Sequence, residues 1–252
     1  MSPGSNTLTG RPRGLLAAAA AACLLAGLVA AAWPGSAGSA PLRVITLGQT
    51  SQTPAPDCPG SPCFVEGHVT GFQSLIGDGT VRPFQAPYDG KLISWSITLS
   101  RPKGTDRAFF SELFGRPSKA RISVLRRLSR NPPIFKLVRH SPVQILNEYF
   151  GQTVHFALDH PLTVLEDQVV ALTVPTWAPM FASGLSSQDT WRASRREGRC
   201  TFPSDLTPEQ LQERINQSHP QQRPQSKRRY DCYYSTNRLL YTATMVKKPR
   251  RG

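Results

Sequence analysis

The densest set of side chains able to do chemistry is His155-Phe-Ala-Leu-Asp-His160, two imidazoles and a carboxylate in one short stretch. Such groups can ligate a metal or move a proton. In an extended segment His155 and Asp159 share a face, because side chains alternate, and His160 falls at the turn before Pro161. That spacing reads more simply as a solvent-facing strand and its turn. A Ser-His-Asp hydrolase has its residue types present but no Gly-x-Ser-x-Gly elbow to place the nucleophile. Glycosidase chemistry needs two carboxylates flanking one bond, whereas adjacent Glu166 and Asp167 read as a hairpin turn. The cysteines lack a Cys-x2-Cys knuckle or a neighbouring His pair, which excludes a zinc motif. No residue set is assigned as catalytic, as metal ligands or as a cofactor cradle. The alternative is a hydrolase whose residues converge only in three dimensions, drawing on His68, His140, His155 and His160.

The stronger candidate is an aromatic and guanidinium surface. Trp177 closes a strand in Pro175-Thr-Trp-Ala-Pro-Met-Phe181, and Trp191-Arg192-Ala-Ser-Arg195-Arg196 opens the next ordered segment. Tyr233 and Tyr234 follow Arg228-Arg229. Sugars stack on exposed rings, and arginine's planar fork suits carboxylate and phosphate. The expected ligand-binding residues are therefore Trp177, Trp191, Arg192, Arg195, Tyr233 and Tyr234. The competing expectation is that both tryptophans plug the end of the fold, where a large ring buries its body.

The elements that must position these residues are strands. Lys91–Leu99 alternates, placing Ile93, Trp95, Ile97 and Leu99 on one face and Ser94, Ser96 and Thr98 on the other, so Trp95 is a core residue. The same period picks out 120–125, 134–138, 153–158 and 169–174, with weaker candidates at 42–47, 64–70, 80–84, 162–165 and 239–246. Short strands separated by turn signals, without alternating long helices, predict an all-β fold: an antiparallel β-sandwich, jelly-roll-like. Two short helices interrupt it. One is Asp106–Phe114, with Phe109, Phe110, Leu113 and Phe114 as its apolar face. The other is 207–216, where Thr207, Pro208 and Gln210 spell a capping box. The Gln-, Pro- and Arg-rich stretch 218–229 predicts a mobile loop.

The run Ala86-Pro-Tyr-Asp-Gly90 into Ile93-Ser-Trp-Ser-Ile97, then Ala120-Arg-Ile-Ser-Val-Leu125, Pro161-Leu-Thr-Val164 and Val170-Ala-Leu172, resembles a group of uncharacterised exported bacterial β-sandwich proteins. The resemblance covers about residues 80 to 175 and implies a fold without a function or catalytic residues. The chain departs from that pattern in having Glu166-Asp167 where the group has Gly-Asp, and in its Cys-bracketed insertion.

Arg11 and Arg13 precede an uncharged run from Gly14 to Trp33, and small residues follow to Ala40, as in a secretory signal peptide cleaved after Ala37. The run is also long enough to act as an uncleaved anchor. Residues 1–37 are read as the leader, 38–62 as an N-terminal segment with a clasp, 63–246 as one sandwich domain and 247–252 as a disordered basic tail. The cysteines left after the leader are Cys58, Cys63, Cys200 and Cys232. An even set in an exported chain predicts disulfides, most simply a 58–63 clasp and a 200–232 bracket, though other pairings are formally open.

Net charge is +14, and loss of Arg11 and Arg13 leaves +12. It is distributed in blocks: residues 101–140 hold 11 basic and 2 acidic side chains, 141–191 hold no basic and 5 acidic, and 192–252 hold 14 and 5. A surplus of this sign attracts polyanions. Nucleic acid is not the expected natural partner outside the cell, and a membrane is reached only through residues 14–33 if they are retained. The sequence therefore predicts a secreted or cell-envelope binding protein for polysaccharide or an anionic wall polymer, with a structural envelope component as a further alternative.

Overall fold

Alternating apolar side chains need a partner layer, and the chain supplies one by folding its strands into two facing sheets. The computed structural model describes residues 43–60, 63–201 and 207–248; the leader, its anchor alternative and tail residues 249–252 lie outside the described residues. In chain order the strands are β1 (Val44–Leu47), β2 (Glu66–Leu75), β3 (Gly90–Thr98), β4 (Lys119–Arg130), β5 (Pro133–His140), β6 (Gln144–Ile145), β7 (Thr153–Val164), β8 (Val169–Ala178), β9 (Phe181–Ala182), β10 (Thr190–Ala193), β11 (Lys227–Arg229), β12 (Cys232–Tyr234), β13 (Arg238–Leu239) and β14 (Tyr241–Lys247). The helices are α1 (Gly104–Phe114) and α2 (Pro208–Asn216). No helix among the described residues is long and apolar enough to cross a membrane.

One sheet runs β1-β14-β3-β7, and the larger runs β11-β5-β4-β8-β2-β10-β12 with β6 beside β4. With β1-β14-β3-β7 facing β5-β4-β8-β2, the strand order is that of a jelly roll, the expected all-β sandwich. Strands β9 to β13 and α2 form the insertion between β8 and β14. Both disulfides are present, Cys58–Cys63 and Cys200–Cys232. Closing the larger loop contributes about 3 to 4 kcal/mol in the chain-entropy account. Helix α2 carries the expected cap: the Thr207 side chain accepts from the Gln210 amide, and the Gln210 side chain accepts from the Thr207 amide.

Several expectations are corrected. Ile93 does not join Trp95 and Ile97 in the core: Leu92 is fully buried and Ile93 is 36% exposed. The cause is a bulge, in which Leu92 pairs with Leu162 but Ser94 with Ala157, so the alternation changes phase at Ile93. The same irregularity pushes Asp159, His160 and Pro161 into solvent. Residues 80–84 form a loop rather than a strand, because Arg82 has φ +54° and Pro83 lacks an N–H. On α1, Phe110 and Phe114 pack on the core while Phe109 stays exposed. The sandwich begins before residue 63, since β1 pairs with β14, and Lys247 belongs to β14 rather than the tail.

The stretch 218–229 is pinned rather than mobile. Gln221 is fully buried. Its amide N–H donates to Thr70 Oγ1 (2.9 Å), its side-chain Nε2 to the carbonyls of Phe135 (3.2 Å) and Ser226 (2.6 Å), and its Oε1 accepts from Tyr230 OH (2.8 Å). A composition that looks solvated is ordered here because every buried polar group finds a partner.

This loop also explains the shape of the larger sheet. Only Tyr230 and Asp231 separate β11 from β12, yet these strands flank opposite ends of the sheet. Strands lie about 4.8 Å apart, so a link this short cannot span a flat sheet. The sheet instead curls until residues 227–234 serve both ends: the Tyr230 N–H donates to Pro133 O on the β5 side, and the Asp231 N–H to Arg195 O on the β10 side. Inside the curl, Phe72 of β2, Phe135 of β5 and Tyr230 meet ring to ring at 5.0 to 5.8 Å between centroids. By strand alternation Ile122 and Val124 lie on one face of β4 and Arg121, Ser123, Leu125 and Arg127 on the other, where Arg127 lies over Phe135 and Arg121 reaches Gln222 O; both faces join one continuous core.

Burial pushes the Tyr230 and Tyr241 hydroxyls well above the ordinary phenol pKa. A proton held more tightly in the folded state gives stability that is complete below the unfolded value and is lost as pH rises towards the folded one. Thermal stability should therefore hold up to about pH 10 and then fall by about 1.4 kcal/mol per pH unit for each of the two tyrosines. Ultraviolet titration checks this: phenolate signal from both buried rings without loss of circular dichroism would refute it.

Candidate functional site

The two expected tryptophan faces are not at the surface. Trp177 and Trp191 are both fully buried. Trp177, on β8 opposite Gly67, packs against Phe110 (5.6 Å) and Phe150 (5.5 Å). Trp191, on β10, stacks on Tyr234 (4.6 Å) and meets Phe181 edge-on (6.0 Å). The stacking platform is thus corrected to two separate core plugs, since a ring with no exposed face cannot receive a sugar.

Arg195 and Tyr234 are structural as well. Arg195 is 6% exposed and donates to Glu66 Oε2 (2.9 Å), Tyr234 OH (2.9 Å), Ser218 Oγ (3.3 Å) and Gly67 O (3.3 Å). Tyr234 OH in turn donates to Cys200 O (2.6 Å). Of the predicted set, only Arg192 and Tyr233 reach solvent together, the Arg192 guanidinium lying 5.1 Å over the half-exposed Tyr233 ring.

Arg192 belongs to a cleft that residue spacing along the chain does not reveal. Within the curled sheet, the insertion covers the end beside Arg121, whose Nη2 donates to Gln222 O (2.9 Å). Beyond Phe72 and Phe135 it leaves an opening of about 250 Å³. Its walls carry Arg82 from the loop after β2, Arg127 and Arg130 from β4, and Arg192 from β10; its floor is apolar, with Phe72, Phe135 and Val169. Arg127 lies 5.4 Å over the Phe135 ring, which holds the guanidinium plane while leaving its N–H edge free to donate.

The four cations crowd one another. Burial first, and then the like charges of Arg82, Arg130 and Arg192, lower the Arg127 pKa, while Asp167 raises it. Arginine starts so high that the group stays charged. Among the described residues none of the four is ion-paired. Asp167, in the β7–β8 turn at φ +65°, accepts from Gln85 Nε2 at the cleft wall. One carboxylate against four guanidinium groups leaves a strongly positive opening, whose charge and N–H donors are of the kind that suit an anion. The signal available in the sequence is strand phase: Arg127 follows Arg121, Ser123 and Leu125 on the face opposite Ile122 and Val124.

The histidines do not converge. His68 places Nε2 2.9 Å from Phe114 O and Nδ1 3.2 Å from Ile215 O, joining the ends of α1 and α2. His140 Nδ1 lies 3.0 Å from Ser141 O and 3.2 Å from Arg121 Nη1. His155, Asp159 and His160 are exposed along β7, and no grouping of metal-ligating side chains occurs among the described residues. Glu166 and Asp167 sit in the β7–β8 turn.

No family model matches this chain, and neither a curated protein nor a solved structure is similar to it. The reading of function therefore rests on the cleft and the fold.

Proposed function

We propose that the protein is an exported cell-envelope binding protein whose curled sheet holds an anionic polysaccharide or similar anionic wall polymer at the arginine cleft. The observation that carries this reading is the convergence of Arg82, Arg127, Arg130 and Arg192, none of them ion-paired among the described residues, over an apolar floor. A uronate or phosphorylated sugar matches both halves: its charge meets the guanidinium forks, and its C–H face rests on Phe135, Phe72 and Val169. Two disulfides suit a chain that matures in an oxidising compartment, and the leader-like residues 14–33 support export.

The test is retention of the oxidised protein on anionic cell-wall polymer across a salt series, with heparin as the charge-only control. Wall-selective retention that survives moderate salt supports a shaped site, because screening removes loose surface attraction. Replacing Arg127 and Arg130 together by Gln should weaken binding of an oligogalacturonate probe by about tenfold or more, with melting nearly unchanged. Unchanged affinity in that double variant would remove the cleft from the reading.

A further inference from the structure

A second basic site is built largely by the insertion, from arginines that the cleft does not use. After β10 the chain turns through Arg196 and Arg199 into Cys200; α2 brings Arg214, the segment after it brings Ser218 and His219, and β11 brings Arg228. These side chains line one hollow of about 310 Å³. Ser194, Arg196 and Arg228 also line an adjoining hollow of about 220 Å³ that adds Lys227, Arg229 and, from β5, Ile134.

Three neighbouring acids have partners within the fold, two of them arginines that line the hollows, Arg229 and Arg195. Asp231 pairs with Arg229 (2.8 Å) and caps the Glu197 amide (3.0 Å), Glu213 accepts from Gln217 Nε2 (2.6 Å), and Glu66 holds Arg195 (2.9 Å). The arrangement is fixed by the fold: Arg214 Nη1 donates to Thr201 O (2.8 Å), Ser218 Oγ donates to His68 O (3.1 Å), and Cys200–Cys232 ties the segment to β12.

The lining chemistry separates this site from the cleft. The larger hollow has only polar side chains, where the cleft has an aromatic floor. No hydrocarbon side chain lines the larger hollow, and the ring that lines it is the His219 imidazole, so recognition there falls chiefly to the guanidinium groups. Several guanidinium groups spread over two connected hollows suit several adjacent oxyanion centres, each taking charge-assisted N–H donors.

We propose that Arg196, Arg199, Arg214 and Arg228 form a second, independent site for a chain of linked phosphates, an inorganic oligophosphate. The hollow that bears Arg196, Arg199, Arg214, His219 and Arg228 seats two or more phosphate groups at once, and chain length sets affinity.

Calorimetric titration of the full, oxidised protein with inorganic tripolyphosphate and with orthophosphate at moderate salt tests this. Tripolyphosphate should bind at least about tenfold more tightly than orthophosphate, and R196Q/R199Q should weaken it by about tenfold or more. Both replaced side chains are exposed, so folding should be intact, and melting verifies it. R127Q/R130Q should change tripolyphosphate affinity by less than about twofold, and the oligogalacturonate probe should not compete. Failure of tripolyphosphate to bind, no effect of R196Q/R199Q, or equal losses from the two double variants would each overturn the site. The oligogalacturonate result with R127Q/R130Q decides the cleft separately.

Discussion

Trp177→Ala should lower unfolding stability by about 3 to 5 kcal/mol and leave wall retention of the folded fraction unchanged. The ring is fully buried and fills the space between β8, Phe110 of α1 and Phe150. Truncation removes its transfer free energy and leaves a cavity that the surrounding sheet cannot collapse to fill. The damage should spread to α1, because Phe114 of that helix lies against Gly67, the residue paired with Trp177; a Cβ at Gly67 would come within 2.5 Å of the Phe114 ring. Urea unfolding gives the energy, and protease sensitivity within 104–114 reports the helix. Trp177→Phe should recover more than half of the loss. A stable variant that no longer binds wall polymer would restore the ring to the ligand surface and overturn its place in the core.

Glu66→Ala should have a similar cost, about 3 to 5 kcal/mol, by leaving a buried cation without its carboxylate. Burial alone would lower the Arg195 pKa; the Glu66 charge and the Tyr234 hydroxyl outweigh it, so the guanidinium is held above its ordinary value. The pair is close to water-free, with side chains 5% and 14% exposed. Arg195 also reaches Tyr234, which reaches Cys200, and Ser218 beyond α2. Loss of Glu66 should therefore loosen the insertion as well as β2, seen as faster hydrogen exchange around 207–219. Replacing both partners by apolar residues, Glu66→Leu with Arg195→Met, should be less harmful than Glu66→Ala, since no charge is stranded. A cost below about 1 kcal/mol for Glu66→Ala would place the pair among weak surface contacts.

Much of the fold is legible in the order of residue types. Period-2 runs locate β3, β4, β5, β7 and β8, cysteine order points to both disulfides, and Thr207 with Gln210 marks the start of α2. The exposure of Ile93 is not legible, because a bulge changes the phase of a strand without changing its residue types. Trp177 and Trp191 illustrate a second limit: a ring's identity says that it wants a surface, while only packing tells whether that surface is protein or ligand. The site is legible in pieces. Arg192 stands out by its aromatic neighbours, but Arg82 and Arg127 come from a loop and a strand far along the chain, and only the curl of the sheet brings them together. Gln221 is hidden in a stretch whose composition resembles solvated chain, since composition counts polar groups and ignores whether they are paired.

The curl also bears on how copies of the protein meet one another. A strand at the margin of a sheet offers unpaired backbone groups on which another copy can grow, the first step of fibril formation. In the larger sheet, residues 227–234 take up both margins. In the smaller one, β1 has 4 residues, and β7 breaks its margin with Asp159, His160 and Pro161. Where a polyanion draws arginine-rich copies together, such a fold leaves little backbone on which they could fuse.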